Sequence, residues 1–315
     1  MSQPPRPEAP APKLSVVVLA YNHEPFLRQA LDGVLGQDVD FAYEVIVGED
    51  CSTDGTRAVL QEYARRYPAV LRPIYQPRNV GMGPNFQACL AACRGEYIAL
   101  LEGDDYWTSP LKLRRQVAWL DAHPDFSLCF HPLADHYEDG SRPDRVARRY
   151  AKDVYTFDDF VATTEAIAGT GSLVLRHVLP TWPAWLFTVI PIDYPLVLLY
   201  AAVGKAKLLP EVMGAYRIHG GGTWSAAPAH VNIKRFVLMY EQLWRHYAQA
   251  PFAGQLRSQL YDAYLAMANE YANLGRTADA LRFVKKAVRF GAGHRHRGAN
   301  SLLKTGLRVA RGLTR

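Results

Sequence analysis

Residues Gly95 to Trp107 read GEYIALLEGDDYW, an apolar run that ends in a cluster of acids. Tyr97 to Leu101 (YIALL) is a short apolar run with the length of a buried strand, and it stops directly at Glu102, Asp104 and Asp105. In open α/β sheets, ligands bind outside the carboxyl ends of the strands. Three carboxylates at such an end predict a cation site, and the alternative interpretation is a solvated acidic turn.

Strands and helices alternate around this segment. The predicted strands are Leu14 to Ala20, Tyr43 to Val47 and Leu71 to Tyr75, and the predicted helices are Glu24 to Leu35, Thr56 to Tyr67 and Pro84 to Cys93. This alternation is typical of a doubly wound α/β sheet.

Further along the chain the pattern is mixed and then helical. We predict strands at Phe126 to His131 and Gly171 to Arg176, an apolar helix at Tyr194 to Val203, and a helical hairpin over Tyr261 to Phe290 that turns at Leu274 to Thr277.

Charge and composition exclude several classes of protein. The formal net charge is +6, and Gly291 to Arg315 contains six basic residues and no acid, so the remainder sums to zero. A uniformly basic, nucleic-acid-binding surface is therefore not indicated. The four cysteines form no CxxC pair. Without a signal peptide or a membrane-length apolar run, the expected location is cytoplasmic.

Polar residues follow each of the first four predicted strands. They are Tyr21 and Asn22, Glu49 and Asp50, Asn79, and Glu102 to Asp105. Carboxyl ends of parallel strands meet at one edge, so these residues predict a single site. No GxGxxG follows the first strand, which argues against a dehydrogenase-type dinucleotide fold.

Four motifs in order resemble the family 2 glycosyltransferases of the GT-A fold: SVVVLAYN (Ser15 to Asn22), EVIVGEDCSTDGT (Glu44 to Thr56), RNVG (Arg78 to Gly81) and GEYIALLEGDDYW. The resemblance covers roughly Leu14 to Ser225. It implies an inverting enzyme that moves a monosaccharide from a nucleotide-diphosphate sugar, with a UDP-sugar favoured, to a hydroxyl of a glycan or lipid-linked saccharide. Such enzymes serve cell-surface polysaccharide assembly.

The resemblance also implies roles for individual residues at the donor site. Ala20 and Tyr21 frame the base, Asp50 accepts the imide N–H of a uracil-type base, and Asn79 lies near the base or ribose. Glu102 and Gly103 occupy the nucleotide side of the family's Asp-x-Asp slot, where Glu102 replaces the usual first Asp. Asp104 is the expected ligand of a divalent cation, Mn²⁺ or Mg²⁺, which prefers hard oxygen ligands.

Later motifs extend the likeness. Asp193 matches the catalytic base, although an Asp that opens a helix is also a common cap. His219 is expected at the metal and Arg217 at the diphosphate or in a glycine-rich lid. Gly171 and Ser172 fall where the family borders the acceptor pocket, and Trp107 is placed either to touch the ligand or to pack in the core.

The predicted domain organisation is consecutive. It comprises a flexible Pro-rich head (1–12), a GT-A domain (13–229, with a nucleotide-binding half 13–125 and an acceptor half 126–229), a helical extension (230–290) and a basic tail (291–315). The tail reads as a basic amphipathic helix for peripheral contact with an anionic membrane, or as a frayed basic terminus.

Two other functions are alternatives to the glycosyltransferase interpretation of the sequence. A nucleotidyltransferase would also use acids and a metal on an α/β sheet, but it needs a Gly-rich phosphate loop after the first strand, where this chain has Tyr21 to Glu24. The second is a non-catalytic nucleotide-sugar-binding or interaction protein on a GT-A scaffold.

Overall fold

The structure of the chain is a computed structural model that describes residues 11–146, 148–162, 167–179, 181–224 and 227–291. Most of the predicted head, the basic tail beyond residue 291, and Ser225 lie outside these residues.

The helices and strands follow one another as the alternation predicts. The first part of the chain forms β1 (Leu14–Ala20), α1 (Leu27–Leu35), β2 (Tyr43–Glu49), α2 (Thr56–Arg66), β3 (Leu71–Tyr75), α3 (Met82–Ala92), β4 (Tyr97–Glu102), β5 (Tyr106–Trp107) and α4 (Lys112–Ala122). The middle part forms β6 (Phe126–Phe130), β7 (Leu133–Tyr137), β8 (Val154–Tyr155), α5 (Phe157–Val161), β9 (Val174–Arg176), α6 (Asp193–Ala201), β10 (Lys205–Leu208) and β11 (Gly214–Ile218). Then come α7 (Ala229–His246), α8 (Ala253–Asn273) and α9 (Thr277–Gly291).

Among the described residues, eight strands form one mixed sheet in the order β3-β2-β1-β4-β9-β6-β10-β8. The strands β3, β2, β1 and β4 are parallel, and β9 runs antiparallel between β4 and β6. A second sheet has the order β5-β11-β7. This mixed sheet with flanking helices confirms the predicted α/β class.

The central strands are buried because helices cover both faces of the sheet. Leu14, Val16 and Val18 of β1 have no exposed surface, and neither do Val45 and Val47 of β2. Continuous β-branched runs of this kind form strands that need no polar face, which is why these strands can be located in the sequence, although β2 extends to Glu49, two residues beyond the predicted end.

Two elements begin later than the sequence predicts, each because side chains or turns tie down the preceding residues. The helix predicted from Glu24 begins at Leu27, since the Glu24 carboxylate accepts the Gly55 N–H at 2.7 Å and its own N–H donates to Asp54 at 3.1 Å. The strand predicted from Gly171 begins at Val174, because residues 170–172 form a 3₁₀ turn.

Contacts group the chain into two compact units. Unit 1 comprises residues 1–155, 168–182 and 200–218 and contains both sheets. Unit 2 comprises residues 156–167, 183–199 and 219–315 and contains α5, most of α6 and the three long helices. The units alternate along the chain, whereas the sequence predicts consecutive domains, and those domain boundaries stay a prediction.

Unit 2 has its own aromatic core. Tyr194 of α6 donates to the Phe160 carbonyl of α5 at 3.1 Å, and its ring meets Tyr240 of α7 edge to face at 5.9 Å. The turn between α8 and α9 falls at residues 274–276, where the sequence predicts it. No helix in the described part of the chain is long and apolar enough to cross a membrane.

Candidate active site at the strand ends

Three neighbouring strands end side by side. In the large sheet β1 lies between β2 and β4. The Asp50 N–H, just after β2, donates to the Ala20 carbonyl at 3.0 Å, and the Gly103 N–H, just after β4, donates to the Leu19 carbonyl at 2.7 Å. The residues that follow β1, β2 and β4 therefore meet at one edge of the sheet.

The turn after β1 is tied to the loop after β2. The Asn22 N–H donates to Ser52 Oγ at 3.0 Å, and Asn22 Oδ1 accepts the Thr53 N–H at 2.8 Å. Asn22 and Cys51 have φ values of 56° and 55°, a left-handed conformation that asparagine tolerates and cysteine seldom adopts. These contacts leave Tyr21 projecting, with 42% of its surface exposed. Its ring is thus accessible to a planar ligand.

Asp50 organises the loop that carries Asn79. Its carboxylate, 3% exposed, accepts the N–H groups of Val80 at 2.7 Å and Gly81 at 2.9 Å, and Asn79 Nδ2 donates to the Asp50 carbonyl at 3.2 Å. Gly81 has φ +85°, which essentially only glycine adopts at low cost. Asp50 and Asn79 therefore lie together, as the sequence predicts. The carboxylate keeps a lone pair on each oxygen for a further donor.

Glu49 supports this loop from below. Its side chain is fully buried, accepts the Ser52 N–H at 2.6 Å, and pairs with Arg57 Nε at 2.5 Å. Arg57 in turn lies 5.4 Å from the Tyr75 ring and donates to the Gln76 carbonyl at 2.8 Å. Glu49 is thus a structural anchor of the second strand end.

The turn after β4 is narrow at Gly103. A Cβ atom there would lie 2.9 Å from the Leu19 carbonyl oxygen and 2.8 Å from His23 Nδ1. This close approach requires glycine between the two acids. Asp104 follows with 18% of its side chain exposed, and its Oδ2 lies 3.6 Å from His23 Nε2. Asp104 therefore lies where β1 and β4 converge and, like Glu102, is partly exposed to solvent, whereas Asp105 is buried.

Asp105 faces inward. It is 3% exposed, and its Oδ1 accepts the Arg217 N–H at 2.8 Å. Burial, and secondly the neighbouring Asp104 carboxylate, raise the pKa of Asp105 well above its ordinary value. Asp105 therefore holds the turn against β11.

Arg217 packs against the acidic turn. Its side chain is 4% exposed, donates to the Asp104 carbonyl at 2.7 Å and to Gln29 Oε1 at 2.6 Å, and pairs with Glu138. The guanidinium also lies against the ring of Tyr106, at 5.0 Å. Acceptors of the protein thus engage this group, which braces the acidic turn, and its role at the diphosphate or in a lid stays a prediction.

Trp107 is also a brace. It is 5% exposed, so little of its ring could touch a sugar, and its indole N–H donates to the Gly171 carbonyl at 2.8 Å. The neighbouring Ser172 carbonyl accepts Gln116 Nε2 at 2.8 Å. Both residues of the predicted acceptor border, Gly171 and Ser172, are buried in the 3₁₀ turn that these side chains hold.

Beneath Trp107 lies a buried lysine. Lys112 Nζ is 4.1 Å from the indole centroid and, in the described residues, has no hydrogen-bond partner. The same holds for Gln116 Oε1 and His131 Nε2 nearby. Burial lowers the pKa of Lys112 to about 7, and burial together with the Lys112 charge lowers that of His131 to about 3.

Asp193 and His219 belong to unit 2. Asp193 opens α6, and its Oδ1 accepts the N–H of the adjacent Tyr194 at 2.8 Å. A capping side chain accepts the N–H two or three residues further on, so this contact does not decide between a cap and a base. His219 Nδ1 accepts the Gly221 N–H at 3.3 Å. Their roles in catalysis and in metal binding stay predictions.

The acids fit one kind of divalent-metal site. Within the described residues no three His, Cys, Asp or Glu side chains come together to hold an ion. Mg²⁺ and Mn²⁺ sites at nucleotides draw most ligands from phosphate oxygens and water, and need few carboxylates. Asp104 therefore suits a cation shared with a diphosphate, and does not suit one held by protein alone.

The sequence alone does not identify several residues of this site. Gln29 and Glu138, which hold Arg217, are distant in sequence and carry no motif. Lys112 and Gln116 lie four residues apart on α4, and this spacing is a signal that both face the same side.

Comparison with known proteins identifies relatives of the part of the chain that carries the strand ends. The sequence profile described as Glycosyl transferase family 2 matches residues 15–177, just over half of the chain. This range begins in β1 and ends just after β9, and it contains the residues that meet at the strand ends.

Two curated relatives match part of the chain. The uncharacterized protein Mb1547 of Mycobacterium bovis is 42% identical over 214 residues, which is 68% of this chain and 61% of the relative. The putative teichuronic acid biosynthesis glycosyltransferase TuaG of Bacillus subtilis is 30% identical over 154 residues, covering 49% of this chain and 58% of TuaG. The chain thus matches about three fifths of the length of each.

Solved structures share the fold. S. aureus TarS 1-349 in complex with UDP-GlcNAc has a TM-score of 0.66 at 17% identity, over 95% of this chain and 89% of that one. The mannosyltransferase PcManGT from Pyrobaculum calidifontis, in complex with GDP-Man and Mn²⁺, has a TM-score of 0.54 at 20% identity, over 95% and 81%. At these identities the likeness is one of fold.

Proposed function

The chain belongs to Glycosyl transferase family 2, and from that membership we propose that it transfers a monosaccharide from a nucleotide-diphosphate sugar to a hydroxyl of a glycan, with inversion at the anomeric carbon. The observation that carries the proposal is the meeting of Tyr21, Asp50 and Asp104 at adjacent strand ends. Their side chains offer an aromatic face, an acceptor for a base N–H and a carboxylate for a cation.

The contacts of Asp50 and the exposure of Tyr21 support a uracil-type base as the proposed donor base. Asp50 is fixed by two backbone N–H groups at 2.7 and 2.9 Å, so its remaining lone pairs point in set directions. A carboxylate can accept the imide N–H of uracil, and the exposed Tyr21 ring can stack on the base. The UDP-GlcNAc held by TarS supports a nucleotide-sugar donor for this chain as well.

Asp104 is the proposed ligand of Mn²⁺ or Mg²⁺, which supplies charge neutralisation for the leaving diphosphate when bound. The Mn²⁺ in the PcManGT structure supports such a cofactor. Arg217, Asp105 and Gly103 act indirectly, since they fix the turn from which Asp104 projects. His219 stays the second proposed ligand.

Asp193 is the proposed general base. It accepts the proton of the acceptor hydroxyl while that oxygen forms a bond to C1 and the bond from C1 to the diphosphate breaks. An Asp193→Asn variant is expected to bind UDP like the wild type and to lose transfer by at least about a hundredfold. Full transfer activity in this variant would exclude the assignment.

Thermal-shift measurements test the donor site. UDP with Mn²⁺ is expected to raise the Tm of the wild type; Asp50→Asn reduces the shift from UDP alone, and Asp104→Asn removes the increment that Mn²⁺ adds. Asp38→Asn is the matched control, since Asp38 is exposed and pairs with Arg114. If no nucleotide diphosphate shifts the wild type, the proposed donor site is wrong and a non-catalytic scaffold becomes the better description.

The acceptor is proposed to belong to cell-surface polysaccharide assembly, which the name of TuaG supports. A lipid-linked acceptor would place the enzyme at the cytoplasmic face of the membrane, and the tail predicted to bind anionic lipid lies outside the described residues. Deletion of Ser301 to Arg315 is expected to abolish sedimentation with phosphatidylglycerol vesicles. Unchanged sedimentation would contradict this role.

A further inference from the structure

One segment of unit 1 carries an excess of positive charge that the donor site does not use. From Arg142 to Lys152, here called the basic segment, five basic side chains stand against a single acid, Asp144. The four arginines (Arg142, Arg145, Arg148 and Arg149) are all exposed. Because the chain before its basic tail is neutral as a whole, this is a local concentration of charge.

Three acids near the basic segment have other partners, whereas Asp135 lies opposite Arg145 and the exposed Asp139 lies near Arg142. Asp144 Oδ1 lies 2.9 Å from His136 Nδ1, Glu138 pairs with Arg217, and Asp153 pairs with Lys207. None of the four arginines forms an ion pair with a described residue. Their charge is therefore available to an anion from outside the chain.

Contacts place the basic segment beside the acidic turn. Arg145 exchanges backbone hydrogen bonds with Asp135 of β7 at 2.8 and 3.3 Å. β7 pairs with β11, the strand whose Arg217 binds the Asp104 carbonyl. From the other direction, Asp144 contacts His136, whose ring meets Tyr106, directly after the acids, at 5.8 Å. The arginines thus flank the small sheet that supports Asp104 and Asp105.

We propose that the basic segment binds the acceptor, and that this acceptor is an anionic glycan carrying phosphate or carboxylate groups. The inference rests on the proposed transfer reaction and adds the chemical class of the acceptor. Guanidinium groups bind phosphate and carboxylate oxygens through paired hydrogen bonds, so four neighbouring arginines suit a chain of repeated anions. A neutral glycan would gain nothing from them.

The donor diphosphate is a less suitable occupant. The residues that meet at the donor site follow β1, β2 and β4 of the large sheet, whereas the basic segment pairs with the outer side of β7 in the small sheet. Arg217, the arginine that contacts the acidic turn within the described residues, is engaged by protein acceptors. Donor binding is therefore expected to be independent of the four arginines.

The test compares two variants with equal loss of charge. One replaces the basic segment's arginines (R142Q/R145Q/R148Q/R149Q), and the control replaces four exposed arginines on α2 and α9 (R65Q/R66Q/R282Q/R289Q). The probes are fluorescent oligogalacturonate, poly(glycerol phosphate) and neutral dextran, measured by anisotropy with the full chain. UDP affinity is measured on the same preparations by calorimetry.

Wild type and control are expected to bind one or both anionic probes but not dextran, and the basic-segment variant to bind at least about tenfold more weakly. Binding should weaken from about 50 to about 300 mM NaCl, because exposed charges are screened. UDP affinity should be equal in all three proteins. The preferred anionic probe identifies phosphate or carboxylate as the recognised group.

Other outcomes overturn the proposal. Equal probe binding by the variant and the control removes the basic segment from acceptor recognition, and a loss of UDP affinity in the variant assigns the arginines to the donor. Binding to phosphatidylglycerol vesicles alone, with chains lacking Ser301 to Arg315, makes a membrane surface the partner. A wild type that binds the glycan probes but no UDP contradicts the proposed reaction and leaves the anionic-glycan surface standing.

Discussion

At the scale of single residues, Gly103 shows how closely the acidic turn packs on β1. Its missing Cβ leaves room for the Leu19 carbonyl oxygen, which would otherwise lie 2.9 Å away. Since a backbone atom cannot give way like a flexible side chain, a methyl group here must move the turn. The residue between the two acids therefore sets the position of Asp104.

We expect Gly103→Ala to lower the free energy of unfolding by about 1–3 kcal/mol and to weaken UDP binding in the presence of Mn²⁺. Urea denaturation and calorimetry measure the two effects. Gly254→Ala is the control, because a Cβ there meets no atom within 4 Å and the site is helical, so stability should stay equal or rise. Equal UDP affinity in wild type and Gly103→Ala would contradict this prediction, because it would mean that the turn accommodates a Cβ without displacing Asp104.

Lys112 is a buried amine that has no hydrogen-bond partner among the described residues. The groups that face it are the Trp107 ring, the Gln116 amide, neutral His131 and the Cys129 thiol, whose pKa burial raises to about 12. The folded-state pKa of Lys112, about 7, is below its unfolded value, so the unfolded chain binds more protons above pH 7. Stability from this group therefore rises with pH.

Lys112→Met is expected to be more stable than the wild type at pH 6, because an apolar side chain replaces an ammonium group without a hydrogen-bond partner. The advantage should shrink by on the order of 1 kcal/mol per pH unit between about pH 7 and pH 10. Urea denaturation across this range measures it, with the exposed Lys285→Met as control. A difference that does not change with pH would contradict the buried, titrating amine.

At the scale of elements, β11 acts as a clamp on the loop between β4 and β5. The Arg217 N–H binds Asp105, and its guanidinium binds the Asp104 carbonyl, Gln29 and Glu138. One residue thus joins the acidic turn to α1 and to the end of β7. A lysine cannot reproduce this planar set of donors.

Arg217→Lys is expected to cost about 2–4 kcal/mol of unfolding free energy and to weaken Mn²⁺-dependent UDP binding, because a buried ammonium group replaces a buried guanidinium and cannot make all of its hydrogen bonds. Chemical denaturation and thermal shift report both. Arg115→Lys removes a guanidinium from an exposed pair with Glu211 and should change stability by less than about 0.5 kcal/mol. Similar losses of stability in the two variants would mean that Arg217 contributes no more than an exposed ion pair does.

Element boundaries could be predicted wherever local pattern decides them. β1 and β3 have the predicted limits, and in β1 the reason is a run of β-branched valines that favours a strand. The start of α1 and the 3₁₀ turn at residues 170–172 could not be predicted, since contacts with Gly55 and within the loop fix them. Tertiary contacts overrode the periodic pattern at both places.

Some features of the candidate site could likewise be predicted from the sequence, and others could not. Strand-end position predicts that Tyr21, Asp50 and Asp104 meet, because parallel topology brings those ends together. Sequence could not show that Arg217 faces protein acceptors, since Gln29 is 188 residues away. Nor could it show that Trp107 is buried against Gly171, 64 residues on. Residue type suggests a chemistry, and only packing decides which way the side chain faces.

At the scale of the whole molecule, the interleaved units make the helical extension part of the folding unit that contains α5 and α6. Gln259 of α8 donates to the Val161 carbonyl of α5 at 2.7 Å, and Tyr240 packs on Tyr194. Removing residues 230–315 would expose the apolar faces of α5 and α6. The extension is therefore not expected to be a detachable domain.

We expect a chain ending at residue 229 to be insoluble or to lack a cooperative thermal transition, because the buried residues of α6 lose their partners. A chain ending at residue 291 keeps α7, α8 and α9 and should melt like the full chain. Soluble yield and circular dichroism measure both. A stable, cooperative 1–229 fragment would instead support the boundary predicted from the sequence.

The contact between Arg217 and Asp104 also orders events during synthesis. Asp50, Asn79 and Asp104 lie in the first 105 residues. Arg217, which binds the Asp104 carbonyl of the acidic turn, follows 113 residues after Asp104. Chains fold from the N-terminus as they leave the ribosome. The parallel strands can thus assemble early while the acidic turn waits for β11, so a nascent or prematurely terminated chain is expected to have no competent nucleotide-sugar pocket.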